Sequence, residues 1–240
     1  MTYLRNFPKV DYTFGTEEFP ERFTQLNAYV DLIDQIKHQV GFYRKYHIDT
    51  NERPDNLSFK LYNTPEYHWT FYLLNDKIRQ SGWPFPEYKA NAVARKRYPN
   101  TALQTYDVDT LISKFQIGDN VKLNSGETLP VIGRNLSLGQ IILEGTAAYD
   151  NTGTIAVMED NSASILIHRA VGEELAVRYY VDEDGDYVDV DPTQAVPEGV
   201  TFVTNYSYLR DYNESLREID VIKPDAINRI VNEFYRKLNT

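Results

Sequence analysis

YHIDTNERPDNLSFKLYNTPEYHWTFYLLND, from Tyr46 to Asp76, is the stretch whose reading decides the fold. It runs strand, turn, short helix, turn, short helix. FYRKYHI (42–48) is an aromatic, β-branched run that reads as a strand. Asp49-Thr50-Asn51 is turn chemistry. Pro54 suits the first position of a helix, where its missing N–H costs nothing, and Asp55 then sits at the positive end of the helix dipole. Leu57, Leu61 and Tyr62 give that helix one apolar face. Thr64-Pro65-Glu66 repeats the pattern as N-cap, first residue and first-turn acid. The second helix carries Trp69, Tyr72 and Leu73 on one side, and Asn75 closes the stretch.

Outward from this stretch the chain divides into four regions. Residues 1–22 read as an extended N-terminal arm, 23–105 as a helical region with a small module at about 43–80, 106–204 as a β-rich domain, and 205–240 as a strand and helix. The arm contains Pro8, Gly15 and Pro20 and has little periodicity, yet Leu4, Phe7, Val10, Tyr12 and Phe14 are apolar. It is expected to order against something, either the protein's own body or a neighbour. Leu26, Tyr29 or Val30, Ile33 and Ile36 predict a helix over 23–38, broken by Gly41. Gly82-Trp83-Pro84-Phe85-Pro86 is a rigid aromatic linker. Residues 87–98 predict a further helix with Tyr88, Ala92 and Val93 on one face and Arg95, Lys96 and Arg97 at its end. Those cations are either a solvated helix terminus or a docking patch for an acidic partner.

From 106 onward short apolar runs alternate with Gly, Asn and Asp turns: FQIGDNVKL, TLPVIGR, GQIILEG, TIAVM, SILIHRA, ELAVRYYV, DYVDVD and VTFVTNY. Such spacing predicts a small barrel or sandwich, with Asp184-Gly185 as a hairpin turn. Pro224-Asp225 opens a last helix in which Ile227, Ile230, Val231, Phe234 and Leu238 keep the helical period, as core or as interface. The fold class expected is therefore α+β: a small βααβ module with flanking helices, plus an inserted all-β domain, barrel or sandwich.

Composition narrows the chemistry. The net charge of −10 disfavours nucleic-acid binding, because a polyanion would be repelled. The absence of cysteine removes disulfides, thiolate catalysis and Cys-based metal sites. No window is apolar enough to span a membrane, and no apolar h-region follows Arg5. The 19 tyrosines suit either protein interfaces or wet aromatic cores. The acidic run Asp182, Glu183, Asp184, Asp186, Asp189, Asp191 fails an EF-hand count, since Thr193 stands where the bidentate Glu is needed; it reads as a solvated hairpin tip. His38, His47, His68 and His168 have no zinc spacing. Nucleophile-elbow, phosphate-loop and dinucleotide motifs are missing. No catalytic residue, cofactor or metal is expected, and the chain reads as a part of an assembly and not an enzyme.

The 46–76 stretch resembles the LysM-type module, many of whose members bind peptidoglycan or chitin. It is more similar to a second family that carries a variant of that module. This is the baseplate wedge protein numbered fifty-three in the gene order of T-even-like contractile-tail bacteriophages. The resemblance rests on Arg53, Pro54, Asp55, Leu57, Ser58, Leu61, Tyr62, Pro65, Tyr67 and Trp69, on the close Leu73–Asp76, on Gly82-Trp83, and on LREIDVIKPDAINRIVNEFYRKL near the end. It covers about residues 23–100 and 205–238; the β-rich middle lies outside it. The resemblance implies a structural virion subunit, made in the host cytoplasm, that joins neighbouring wedges around the tail hub. Its implied partners are other wedge subunits, a sheath-initiator-like protein and copies of itself. Leu4, Phe7, Tyr12, Phe14, Trp83 and Phe85 are the candidate partner interface. The alternative is a LysM-type glycan-binding module on a tail protein.

Overall fold

The computed structural model describes residues 9–13, 19–24, 40–148 and 155–238. Among these residues both helices (36%) and strands (29%) are present, so the class is mixed α+β. Two units divide it: Met1–Pro86 with Asn213–Thr240, and Glu87–Tyr212. The second is therefore inserted, in chain order, into the first.

The first unit starts with β1 (Lys9–Tyr12) and β2 (Glu21–Thr24), which pair antiparallel with Val10 opposite Phe23 and Asp11 opposite Arg22. Phe23 and Thr24, read from the sequence as the start of a helix, are thus strand, and the rest of that predicted helix lies outside the described residues. After a 3-10 turn at Val40–Phe42 come β3 (Tyr43–His47) and α1 (Pro54–Tyr62). Pro54 begins α1, and Asn63 ends it in the left-handed region at φ 57° with its N–H on the Phe59 carbonyl. Asn is one of the few non-glycine residues that takes this conformation cheaply. Thr64 then caps a 3-10 turn, Pro65–His68, by accepting from the Glu66 N–H. That turn leads into α2 (Trp69–Leu74) and α3 (Asp76–Ser81).

The second unit opens with α4 (Ala90–Arg97). Its buried face is Ala90 and Ala94; Tyr88 is 73% exposed and Ala92 is exposed, so the face expected from Tyr88, Ala92 and Val93 is rotated. Small alanines let this helix approach its neighbours closely, which a Tyr-bearing face would prevent. Then follow β4 (Thr101–Gln104), α5 (Val108–Lys114), β5 (Asn120–Lys122), β6 (Thr128–Asn135), β7 (Gln140–Leu143), β8 (Ile155–Met158), β9 (Ser164–Leu166) and β10 (Arg169–Gly172). The seven strands form one antiparallel sheet in the order β10-β4-β7-β6-β5-β8-β9. Its two end strands, β9 and β10, are separated in sequence by only Ile167 and His168, so the sheet has to curl until its ends approach. β6 makes the bend: it pairs with β5 through Thr128–Pro130 and with β7 through Val131–Asn135, with a bulge between Val131 and Gly133. Leu103, Val121, Val131, Ile141, Leu143 and Ile165 fill the inside, together with Leu111 and Phe115 near and at the end of α5. Arg134 donates to the Phe115 carbonyl at 2.8 Å and to those of Leu111 and Ile112 at 3.3 Å, so a cation terminates α5.

β11 (Val177–Val181), β12 (Tyr187–Val188) and β13 (Thr201–Thr204) make a separate three-stranded sheet. α6 (Asn205–Ser215) follows, and the division between the units falls at Asn213 within it. This unit is not all-β as expected. It starts at Glu87, not 106, and includes α4, α5 and most of α6. The chain ends with β14 (Glu218–Ile222), antiparallel to β3, and α7 (Ile227–Leu238). Ile227, Ile230, Val231 and Phe234 of α7 are buried, at 3%, 3%, 3% and 0% exposure, so their stripe is core.

Candidate functional site

The residues singled out between 53 and 75 build one frame around the β3–β14 pair. Ile219, Val221 and Ile222 of β14 turn inward, while Lys45–Asp220 (3.0 Å) and His47–Glu218 (3.5 Å) tie cross-strand partners on the solvent side. Leu57 is fully buried and Leu61 half-buried. The Tyr62 hydroxyl donates to the Ile222 carbonyl at 2.9 Å, and burial of its ring holds its pKa above the ordinary tyrosine value. Buried Ser58 donates to the Thr64 carbonyl at 2.7 Å and locks the turn between α1 and the 3-10 segment. Tyr67 reaches Asn228 of α7 at 3.2 Å. Trp69, 3% exposed, packs tilted against Phe234 with ring centres 4.5 Å apart.

Asn75 acts as a substitute strand edge. Its Oδ1 accepts the Asp220 N–H at 2.8 Å, and its Nδ2 donates to the Asp220 and Phe71 carbonyls, both at 2.8 Å. One side chain thereby satisfies both backbone groups of Asp220, in the middle of β14, and one carbonyl of α2. Arg53 and Pro65 have an outward, local role: Arg53 forks onto Asp55 at 3.0 and 3.1 Å, and Pro65 is exposed at its turn.

The interface candidates separate into two groups. Trp83 and Phe85 are half-buried and held by the first unit itself. The Trp83 indole donates to the Glu52 carbonyl at 2.7 Å and its ring lies 5.9 Å from both Phe71 and Tyr72. The Phe85 N–H and C=O are bracketed by the Asn213 side chain, both at 2.9 Å. Tyr12 instead lies on the β1–β2 ribbon, 56% exposed, together with Val10 (41%) and Phe23 (41%). Leu4, Phe7 and Phe14 lie outside the described residues.

Two clusters have no counterpart in the sequence reading. Lys60 donates to the Tyr46 hydroxyl at 2.7 Å and to Asp49 and Glu52 at 3.2 Å, and these bonds, Tyr46 first, hold its ammonium above the usual lysine range. Arg217, only 4% exposed, donates to the carbonyls of Ile48, Asp49 and Phe85 and pairs with Glu214 at 2.8 Å. The single signal available was a basic residue beside an apolar strand, which surface arginines share. In the second unit His168 stacks on Tyr106 at 3.9 Å, and burial, then the Arg169 charge, hold its pKa below the ordinary imidazole value. The acidic hairpin uses its first carboxylate on itself: Asp182 Oδ1 accepts from the N–H groups of Asp184 and Asp186. Among the described residues no three His, Asp or Glu side chains converge as a metal site would need. These arrangements are hydrogen-bonded frames and aromatic faces, suited to holding shape and touching other molecules. No protein-family model matches the chain, and no curated protein is significantly similar to it.

Proposed function

We propose that the chain is a structural, non-enzymatic subunit of a contractile-tail phage baseplate, a wedge protein that joins neighbouring wedges around the tail hub. One observation carries the reading. The residues that resemble the wedge family (Leu57, Tyr62, Trp69 and Asn75 above all) close a single frame whose second strand, β14, comes from the C-terminal segment that also resembles the family. The order is strand β3, helices α1, α2 and the short α3, then antiparallel strand β14, which supports a LysM-like βααβ module with one added helical turn, opened by the insertion of the second unit. The β1–β2 ribbon supports the joining role. It leaves Val10 41%, Tyr12 56% and Phe23 41% exposed, apolar surface of the kind a segment that docks on a neighbour would present. The partners are other wedge subunits, a sheath-initiator-like protein and further copies of the chain; nucleic acid and membrane are not among them. The site of action is the virion, after synthesis in the host cytoplasm. No described helix is long and apolar enough to cross a membrane.

The test is an averaged cryo-electron-microscopy map of the intact particle. Density for this chain in a ring at the tail tip, each copy touching two wedges, is the expected result. Absence from the particle, with retention on peptidoglycan in a pull-down, would replace this reading by the glycan-binding one.

A further inference from the structure

The second unit carries a row of four tyrosines, Tyr187 exposed and Tyr179, Tyr208 and Tyr212 half-buried, for which the proposed function gives no role. In the sheet β12-β11-β13, Val177, Tyr180 and Val188 turn inward onto Leu138 and Val190. The other face carries Tyr179, Val181, Tyr187 and Val203; Tyr187 stands opposite Val181 and Val203 opposite Tyr179 in the register. Tyr187 is 70% exposed and the other three are half-buried. α6 extends this face with Tyr208 and Tyr212. Ring centres step 6.3 Å from Tyr187 to Tyr179, 6.4 Å to Tyr208 and 6.3 Å to Tyr212.

Two properties of the row specify an occupant. The first is spacing. Alternate side chains of an extended strand project on one face about 6.6 Å apart, close to the ring-to-ring step. The second is charge. From Tyr179 to Leu209 the chain has seven carboxylates and no Lys, Arg or His, and Glu183, Asp184 and Asp186 crowd the exposed hairpin tip beside Tyr187. The cations flanking the row are already engaged: Arg178 lies over the Tyr208 ring at 4.0 Å, and Arg210 pairs with Asp211 at 3.0 Å. The Arg178 contact also shows the kind of binding these rings support, a guanidinium on a tyrosine face. A second copy of the chain would bring the same carboxylates against these, at a net charge of −10 per chain.

We propose that this row docks an extended, basic segment of a partner protein, with Arg or Lys over Tyr187, Tyr179 and Tyr212, while Arg178 already covers the Tyr208 ring between them. The proposal stands whether or not the baseplate reading does, because it concerns only the second unit.

The test uses the full chain and a labelled peptide, Arg-Thr-Arg-Thr-Arg-Thr-Arg, with its Glu-for-Arg counterpart as control, by fluorescence anisotropy at about 50 mM salt, where exposed charges still act over more than 10 Å. The basic peptide binds and the acidic one does not. Each lost cation–aromatic contact weakens binding about two- to fivefold, so Tyr187→Ser with Tyr179→Ser weakens it about tenfold. Glu183→Gln with Asp184→Asn, at the exposed tip where folding is not at stake, weakens it too and flattens its salt dependence. Hydrogen exchange with the peptide bound slows over 177–188 and 201–212. The proposal is overturned if the tyrosine changes leave affinity intact, if both peptides bind equally, if sedimentation shows a dimer that Tyr187→Ser dissociates, or if the row retains chitohexaose in place of the peptide.

Discussion

Asn75 is the sharpest test of how the first unit is held together. Replacing it by alanine removes three hydrogen bonds of 2.8 Å and leaves the N–H and C=O of Asp220 without their partner, while the Phe71 carbonyl keeps the backbone N–H of residue 75 at 3.2 Å. A net intramolecular hydrogen bond contributes about 1 kcal/mol, and a stranded buried group costs about 1–3 kcal/mol. Asn75 is half-buried, so water recovers part of the loss, and about 2–3 kcal/mol of destabilisation is expected. The chain has two tryptophans, Trp69 and Trp83, both in the first unit. Tryptophan fluorescence in urea therefore follows this unit and not the inserted one, and the midpoint should drop by about 1 M. Asn75→Asp sharpens the test. The new carboxylate still accepts from the Asp220 N–H but faces two carbonyl oxygens where Nδ2 used to donate. Its folded pKa is raised, so stability is retained below about pH 4 and lost as pH rises through that folded value. A midpoint shift equivalent to less than about 0.5 kcal/mol for Asn75→Ala, within the range of ordinary surface substitutions, would refute the idea that this side chain clasps β14.

The second unit offers two independent checks. His168 has its pKa lowered from 6.5 by burial and by Arg169, and its buried Nδ1 has no hydrogen-bond partner, so the folded state prefers the neutral ring. Stability is then complete above pH 6.5 and falls as pH drops through the lower folded value; an NMR titration of the ring should have its midpoint below 6.5, and the loss of melting temperature between pH 7 and 5 should be smaller in His168→Gln. Gly139 lies at φ +60°, and a Cβ there would run into the Thr105 carbonyl oxygen, whose own residue donates its N–H to the Gly139 carbonyl at 2.9 Å. Gly139→Ala should destabilise this unit by about 2 kcal/mol or more, from backbone strain plus the displaced carbonyl, and should speed hydrogen exchange over 101–105 and 136–143 while tryptophan fluorescence in urea stays unchanged.

What the sequence disclosed was local, and what it hid was long-range. Pro54, Thr64 and Pro65 act within one or two residues of themselves, so the helix starts could be read directly. The α7 stripe was legible for the same reason: Ile227, Ile230, Val231 and Phe234 repeat at the helical period whatever they face. β4 was missed because TALQ alternates no apolar and polar residues, yet all four are buried. Its two polar side chains are satisfied by distant carbonyls, Thr101 by Gly145 at 2.9 Å and Gln104 by Leu138 at 2.9 Å, and no window of sequence contains both ends of such a bond. α6 was missed because NYSYLRDYNES is mostly polar and aromatic, with Leu209 and Asn213 as its buried residues.

The same distinction explains the candidate surfaces. Trp83 and Phe85 read as interface candidates on a rigid aromatic linker, but the groups that fix them, the Glu52 carbonyl and the Asn213 amide, lie 31 and 128 residues away. Tyr12 lies on the β1–β2 ribbon, 56% exposed. The tyrosine row needs four residues from two strands and a helix, and its spacing exists only once β11, β12 and α6 are side by side. Nineteen tyrosines in the composition could therefore announce that aromatic faces matter, while leaving open which of them are inside. The fold divides them by bonding: Tyr62 is buried with its hydroxyl on a backbone carbonyl and Tyr180 with its hydroxyl on Gln104, whereas Tyr187 is left 70% exposed beside a carboxylate cluster. A ring in the last position loses hydrophobic stabilisation that a polar residue would not need, so its surroundings, and not its own stability, are where a reason for it has to be sought.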